Sequence, residues 1–110
     1  MNVSKEDFEL FREKLPVWQE RYTKGLLKDY VKFLESDAPA LEKFHILEKK
    51  IKADKNAPGV QLRNTRGSRQ GTDYNLMQLI LAGVITFDDL DGFSDDIVRV
   101  VKKLVDAFGE

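Results

Sequence analysis

The sequence predicts an all-α fold, a helical bundle of four main helices within one domain of residues 1–110. Two observations carry that prediction. Apolar residues recur every three or four positions over most of the chain, which places them on one face of an α-helix and would scatter them in a strand. These stretches also begin near residues that cap helices and end near glycine, proline or lysine. A chain of this length can bury a hydrophobic core without disulfide bonds.

The first predicted helix covers residues 4–35. Ser4, followed three residues later by Asp7, resembles a capping box at its start. The apolar stripe that follows comprises Phe8, Phe11, Leu15, Trp18 and Tyr22. Such a helix would be about 48 Å long, and Pro16 lacks the N–H that an interior helical bond requires. We therefore expect a kink or a break near Pro16 and a helix too long for three shorter neighbours to cover.

The second predicted helix covers residues 38–54 and pairs with the first in an antiparallel arrangement. Ser36 and Asp37 offer capping side chains, and Pro39 suits a first helical turn. The apolar residues at helical spacing are Leu41, Phe44, Leu47 and Ile51. Lysines lie near the end of this helix, where cations face the exposed carbonyl groups favourably.

The third predicted helix covers residues 73–84, with Asp73 as its capping residue. Its residues are apolar on nearly every side, which is typical of a central buried helix. A short turn over residues 86–91 follows, and the Thr86 side chain is suited to cap it. We therefore expect the third helix to form the centre of the core.

The fourth predicted helix covers residues 94–108 and is capped by Ser94. It carries a wide apolar stripe, which would pack on the core or on a second copy of the chain. The preceding region leaves one alternative open. Residues 79–87 contain several β-branched side chains and could form a short strand, although such a strand would have no obvious partner.

A long basic loop, residues 55–72, separates the second and third helices. Glycine and proline interrupt any periodicity there, and a connection of this length is typical of functional or disordered segments. Charge is unevenly distributed around it: residues 1–54 carry eleven basic and eleven acidic side chains, the loop four basic and none acidic, and residues 73–110 three basic and eight acidic. The basic residues of the loop are Lys55, Arg63, Arg66 and Arg69.

These four basic residues are candidate contacts for an anion or a partner. Guanidinium groups match phosphate oxygens with two parallel donors, which makes nucleic acid or phosphate binding one interpretation of the loop. No aromatic residue is interleaved with the arginines for base stacking. The alternative is a solvated loop whose arginines pair with the aspartates that follow it, namely Asp88, Asp89, Asp91, Asp95 and Asp96.

The sequence predicts no cofactor, no metal site and no catalytic residue. Placing Gly92 at the sixth position of a calcium loop puts Phe87 and Val98 where that motif requires Asp and Glu. His45 is the single histidine and the chain has no cysteine, so zinc would depend on carboxylates. A small-molecule enzyme that uses paired carboxylates stays an alternative, because sequence alone does not distinguish such a pair.

The prediction that results is a non-enzymatic module that binds protein. Because the first helix exceeds its neighbours in length, part of its apolar face would be exposed or shared with a second copy, and a homodimer is plausible. Trp18, Tyr22 and Tyr30 are the candidate residues of that face. The absence of cysteine, of an apolar leader and of a long apolar run predicts a soluble protein of the cytoplasm without a membrane partner.

Overall fold

The helices follow one another along the chain with one 3₁₀ turn before the last. The computed structural model describes residues 2–62 and 69–109. Within those residues four α-helices form and no strand does, so the all-α prediction is confirmed and the strand alternative for residues 79–87 is wrong. The elements are α1 (Lys5–Leu34), α2 (Ala40–Asp54), α3 (Thr72–Leu81), the 3₁₀ turn (Phe87–Leu90) and α4 (Asp95–Phe108).

Helix α1 begins where the sequence predicts, because the Ser4 hydroxyl accepts a hydrogen bond from the Asp7 backbone N–H at 3.1 Å. The helix continues through Pro16 without a break. Proline removes the bond to the Arg12 carbonyl, but both residues are exposed, so water can solvate that carbonyl. Phe11 and Trp18 meanwhile turn into the core. The kink near Pro16 stays a prediction.

The hydrophobic core forms between the first half of α1, helix α3 and helix α4. Leu76 and Leu79 of α3 are fully buried, as expected for a central helix, and α3 packs against α4. Among the described residues, the other buried apolar side chains are Val3, Phe11, Trp18, Leu62, Met77, Val84, Ile85, Leu90, Phe93, Ile97 and Val101. Burial of these side chains supplies the main favourable term in folding.

The second half of α1 and the whole of α2 extend away from that core as a helical hairpin, residues 23–54. No residue of α2, all of which is described, is buried. The protein measures 52 × 28 × 22 Å and its radius of gyration is 16.6 Å. A compact chain of this length would have a radius of gyration of about 13 Å, so the hairpin accounts for an elongated shape.

Helix starts differ in two places from the sequence prediction. Helix α2 begins at Ala40 with Pro39 as its N-cap, and no side chain, Ser36 and Asp37 included, caps it. Helix α3 begins at Thr72, and Gly71 rather than Asp73 is its N-cap, at φ +88°. That left-handed backbone is accessible to glycine at little cost, which explains the earlier start.

The caps of the last two elements are those that the sequence predicts. Thr86 and Asp89 form a reciprocal capping box at the 3₁₀ turn. The Ser94 hydroxyl accepts from the Ile97 N–H at 3.3 Å at the start of α4. Ser4, Thr86 and Ser94 therefore cap the elements that the sequence assigns to them, whereas Ser36, Asp37 and Asp73 do not act as the predicted caps.

The first part of the predicted loop is ordered by packing. Gly59 is buried, and a Cβ at this position would overlap the ring of Tyr22. Three residues later Leu62 enters the core. Residues 55–62 therefore pass close over α1, which only a glycine permits at the point of contact. Arg63 and Arg66 lie outside the described residues.

Candidate functional site

The two described basic residues of the loop line different surfaces. Lys55 directly follows α2 and lines a groove on the outer side of that helix. Arg69 precedes α3 and lines a groove against the first turns of α1. Lys55 and Arg69 therefore line separate grooves. Because Arg63 and Arg66 lie outside the described residues, a contact that involves all four basic residues stays a prediction.

The groove that contains Arg69 is basic. It encloses about 500 Å³, and its other lining residues are Lys5, Phe8, Glu9, Arg12 and Gln70. The guanidinium of Arg12 lies over the Phe8 ring, 5.6 Å from the centroid. The Lys5 ammonium group is 3.9 Å from the Glu9 carboxylate, a loose pair on an exposed helix face. We call this surface the basic groove.

The side chains at the start of α3, next to the basic groove, form hydrogen bonds with neighbouring backbone groups. The Thr72 hydroxyl donates to the Arg69 carbonyl at 2.8 Å, and Thr72 itself is buried. The Asp73 carboxylate accepts from the Tyr74 N–H at 2.9 Å. Because Asp73 is negative and occupies that amide, it disfavours binding of an anion at this helix start.

Two aspartates of the C-terminal third pair with described arginines outside the loop, Asp89 with Arg21 and Asp96 with Arg99. Arg21 of α1 donates to both carboxylate oxygens of Asp89, at 3.2 and 3.1 Å, and also to the Val84 carbonyl at 3.2 Å. Partial burial would raise the pKa of Asp89, but hydrogen bonds from Arg21 and Thr86 lower that pKa below its usual value. No group of three metal-ligating side chains occurs in the part of the chain that is described.

The three aromatic residues proposed as a partner face have other neighbours. Trp18 is 3% exposed and stacks on Phe93 in the core, so it offers no surface to a partner. Tyr22 packs against Gly59, and Tyr30 donates a short hydrogen bond to Asp54 of α2. Partial burial and the Asp54 carboxylate raise the pKa of Tyr30 to about 12.

Six exposed apolar side chains lie instead on the hairpin, three on each helix. On α1, Leu27, Val31 and Leu34 form a stripe with i, i+4, i+7 spacing, and about half of each side chain is exposed, 45–55%. On α2 the corresponding exposed stripe is Leu41, Phe44 and Ile51.

The two stripes face the same side of the hairpin. Tyr30 of α1 donates a hydrogen bond to Asp54 of α2. The Lys50 ammonium group of α2 lies 5.5 Å from the centroid of the Phe33 ring of α1. Successive residues of an α-helix are rotated by about 100°. By this count, the exposed stripe of each helix lies about a third of a turn from the side that contacts the other helix. The direction of that rotation is the same for both helices when each is followed from its N-terminus. Because the helices are antiparallel, equal offsets of the same sense bring both stripes to one side.

The antiparallel pairing of α1 and α2 determines which of their residues lie at the same end of the hairpin. The Lys43 ammonium group donates to the Leu34 carbonyl at 2.7 Å near the tip, and Tyr30 meets Asp54 nearer the core. Leu34 therefore lies towards the end of the hairpin that carries Phe44, and Leu27 towards the end that carries Ile51. We call the exposed surface formed by these stripes the hairpin face; it comprises Leu27, Val31, Leu34, Leu41, Phe44 and Ile51, with the half-buried Leu47 near the seam.

The α2 side of the hairpin face is a groove rather than a ridge. It encloses about 340 Å³ and is lined by Phe44, Leu47, Glu48, Ile51, Lys52 and Lys55. Apolar side chains form its floor and charged side chains its rim. Such a combination is typical of surfaces that receive an apolar side chain from another molecule.

Sequence reasoning assigned the α2 stripe to intramolecular packing, because helical periodicity identifies an apolar face but not what covers it. The sequence signal that could have identified this surface is the length of α1, which exceeds that of its neighbours and indicates an uncovered stretch.

Comparison with protein-family models, with curated proteins and with solved structures found no match to this chain. Among the described helices, none has the length and apolar character to cross a membrane.

Proposed function

We propose that this protein is a non-enzymatic interaction module that binds another protein through the hairpin face. The observation that carries the proposal is the exposure of two apolar stripes on one side of a hairpin. Single exposed apolar residues are common on proteins, whereas contiguous apolar surface rimmed by charge marks interaction sites. The absence of cysteine supports an interaction in the reducing cytoplasm.

The energetics of α2 support the same proposal. Most helical stability in proteins comes from tertiary burial of an apolar face, and a fifteen-residue helix is marginal without it. Helix α2 buries no residue fully, and Phe44 is 66% exposed. A partner on the hairpin face would supply the missing burial at roughly 25 cal/mol per Å² of apolar area.

Site-specific photo-crosslinking tests this function. A photoreactive amino acid is placed at Phe44 on the hairpin face and, as a matched control, at Val17, an apolar residue of α1 that is 64% exposed outside the hairpin. We expect protein adducts from position 44 and none from position 17, and we expect Val31→Glu to remove them. Equal adducts from both positions, or none from position 44, would contradict the proposal.

The basic groove supports a second function, binding of a phosphate-bearing ligand such as nucleic acid. The observation in its favour is that Arg69 of the loop lines one groove with Lys5 and Arg12 of α1. We expect an RNA oligonucleotide to bind with an affinity that falls as salt rises, because phosphate contacts release counterions. Replacing Arg12 and Arg69 by alanine should weaken that binding, whereas Arg99→Ala on α4 should not. Fluorescence anisotropy at several salt concentrations measures both effects.

A further inference from the structure

The charged residues around the hairpin face are separated by sign along its length. Exposed lysines flank the end near the core, which we call the base: Lys24, Lys28 and Lys55, together with Lys52, which lies 3.9 Å from the Glu48 carboxylate. The opposite end, which we call the tip, carries the exposed acids Glu35 and Asp37. The one lysine of α2 nearest the tip, Lys43, is bonded to the Leu34 carbonyl. The hairpin face is thus apolar in the middle, basic at one end and acidic at the other.

From this layout we infer that the partner of the hairpin face is a second copy of this chain, an inference that rests on the proposed function. A surface with opposite charges at its two ends is complementary to itself when one copy is reversed. In an isologous dimer the same patch is used by both copies, which is the commonest form of protein oligomer. The chain therefore needs no other molecule to satisfy its hairpin face.

The arrangement follows from the charges. In this arrangement the two-fold axis lies between the two hairpin faces and runs perpendicular to the helices. It stacks α1 on the partner's α1 and α2 on the partner's α2, each pair antiparallel. The four helices then form a four-helix bundle. The tip of each copy then covers the base of the other, so Glu35 and Asp37 approach lysines. An axis parallel to the helices would stack tip on tip, which brings like charges together and is disfavoured.

The apolar residues match under the same symmetry. With Val31 near the axis, Leu34 of one copy lies over the part of the partner's α1 that carries its own Leu27. The face measures roughly 20 Å on each side, from the length of α2 and a spacing of 8–10 Å between helices. That area places the dimer at the small end of specific interfaces, so we expect reversible association in the micromolar range.

Sedimentation equilibrium over a range of protein concentrations tests the dimer. We expect the wild type to associate, and the variant with Val31→Glu and Phe44→Glu to have a dimer Kd raised by at least about tenfold, because both charges lie within the apolar part of the interface. Val17→Glu introduces the same charge at an exposed residue outside the hairpin, so its Kd should equal that of the wild type. Circular dichroism confirms that all variants keep their helices.

Charge reversal distinguishes this dimer from other modes of association. One variant reverses the base, with Lys28→Glu and Lys55→Glu, and another reverses the tip, with Glu35→Lys and Asp37→Lys. Each alone brings like charges together and should be mainly monomeric, whereas a mixture pairs opposite charges at both ends and should form a heterodimer. Native mass spectrometry with one variant isotopically labelled measures the mixed species.

The outcomes separate this inference from the proposed function. A wild type that stays monomeric while position 44 still crosslinks to other proteins would overturn self-association and leave the interaction function standing. A monomer without adducts specific to position 44 would overturn both. Reversed variants that each dimerise as well as the wild type would overturn the antiparallel arrangement. A monomeric wild type that binds vesicles of anionic lipid through Phe44 would replace the second copy with a membrane surface.

Discussion

Asp7 of α1 accepts two hydrogen bonds from Ser94, one from the backbone N–H at 2.9 Å and one from the hydroxyl at 2.5 Å. Asp7 is 3% exposed. The sequence suggested that its carboxylate would close a capping box with Ser4, and the structure instead directs it to the N-cap of α4. One carboxylate therefore joins the starts of two helices that lie at opposite ends of the chain.

We expect Asp7→Ala to lower the free energy of unfolding by about 1–3 kcal/mol, because it removes the acceptor of both Ser94 hydrogen bonds. Urea unfolding measures the change. Ser94→Ala should also destabilise, through loss of the α4 cap. In a double-mutant cycle the two changes should interact by at least about 0.5 kcal/mol, and simple additivity would show that the contact contributes nothing.

We expect Gly59→Ala to destabilise the protein by about 1–3 kcal/mol, because the added methyl group meets the Tyr22 ring in a packed region. Gly25→Ala is the matched control: nothing lies within 4 Å of its Cβ position, and replacing glycine in a helix should stabilise by about 0.5–1 kcal/mol. Thermal and urea unfolding measure both. If Tyr22→Ala does not reduce the cost of Gly59→Ala, the steric explanation is wrong.

The raised pKa of Tyr30 predicts that the folded protein loses stability at alkaline pH. This pKa is raised from 10.0 to about 12 in the folded protein. A raised pKa stabilises the folded state fully below the unfolded value of 10.0, and that contribution disappears as pH rises through about 12. The free energy of unfolding should therefore decline more steeply over this window in the wild type than in Tyr30→Phe.

Absorbance titration of tyrosinate provides the control for that prediction. One of the three tyrosines should ionise near pH 12 in the folded chain. Tyr30→Phe should remove this late step and Tyr74→Phe should leave it. A late step that survives in Tyr30→Phe would show that the Asp54 contact is not its source.

The Arg21–Asp89 pair should contribute to stability in a pH-dependent way. Because the pKa of Asp89 is lowered from 3.8, the contribution is present above that value and disappears as pH falls through the lower folded pKa. We expect Arg21→Ala to cost about 1 kcal/mol at neutral pH, since the pair is partly exposed. Arg21→Lys keeps the charge but loses the two parallel bonds, and should recover only part of that cost.

The exposed pair Arg99 and Asp96, 3.5 Å apart on α4, is the matched control for this prediction. Both side chains are largely exposed, so Arg99→Ala should change the free energy of unfolding by no more than about 0.5 kcal/mol. The pKa of Asp89, followed by NMR, should move towards 3.8 in Arg21→Ala. If it stays low, the hydrogen bonds from Thr86 alone account for the lowered pKa.

Features that depend on neighbours along the chain were predictable. The fold class, the 3₁₀ turn capped by Thr86 and the cap of α4 by Ser94 all follow from residues within a few positions of one another. The excess length of α1 was predictable for the same reason, and with it an uncovered apolar stretch. The start of α3 was not, since Asp73 is an acceptable cap and only the backbone of Gly71 decides otherwise.

The candidate site was predictable only in part. The aromatic residues Trp18, Tyr22 and Tyr30 lie on α1, the helix that reaches the hairpin, but they pack inward against the core, Gly59 and Asp54. Leu27, Val31 and Leu34 occupy the outward side of the same helix. Helical periodicity identifies both sets as apolar positions of one helix, and only packing decides which of them meet solvent.

By itself the sequence determined four helices and a first helix longer than its neighbours, because backbone hydrogen bonding and capping act over three or four residues. The tertiary structure alone decided which faces are buried. Asp7 and Ser94 are 87 positions apart, and Arg21 and Asp89 are 68 apart. Contacts at such separations depend on which helix faces pack against one another in the folded chain. In a single chain none of the described elements packs over the hairpin face.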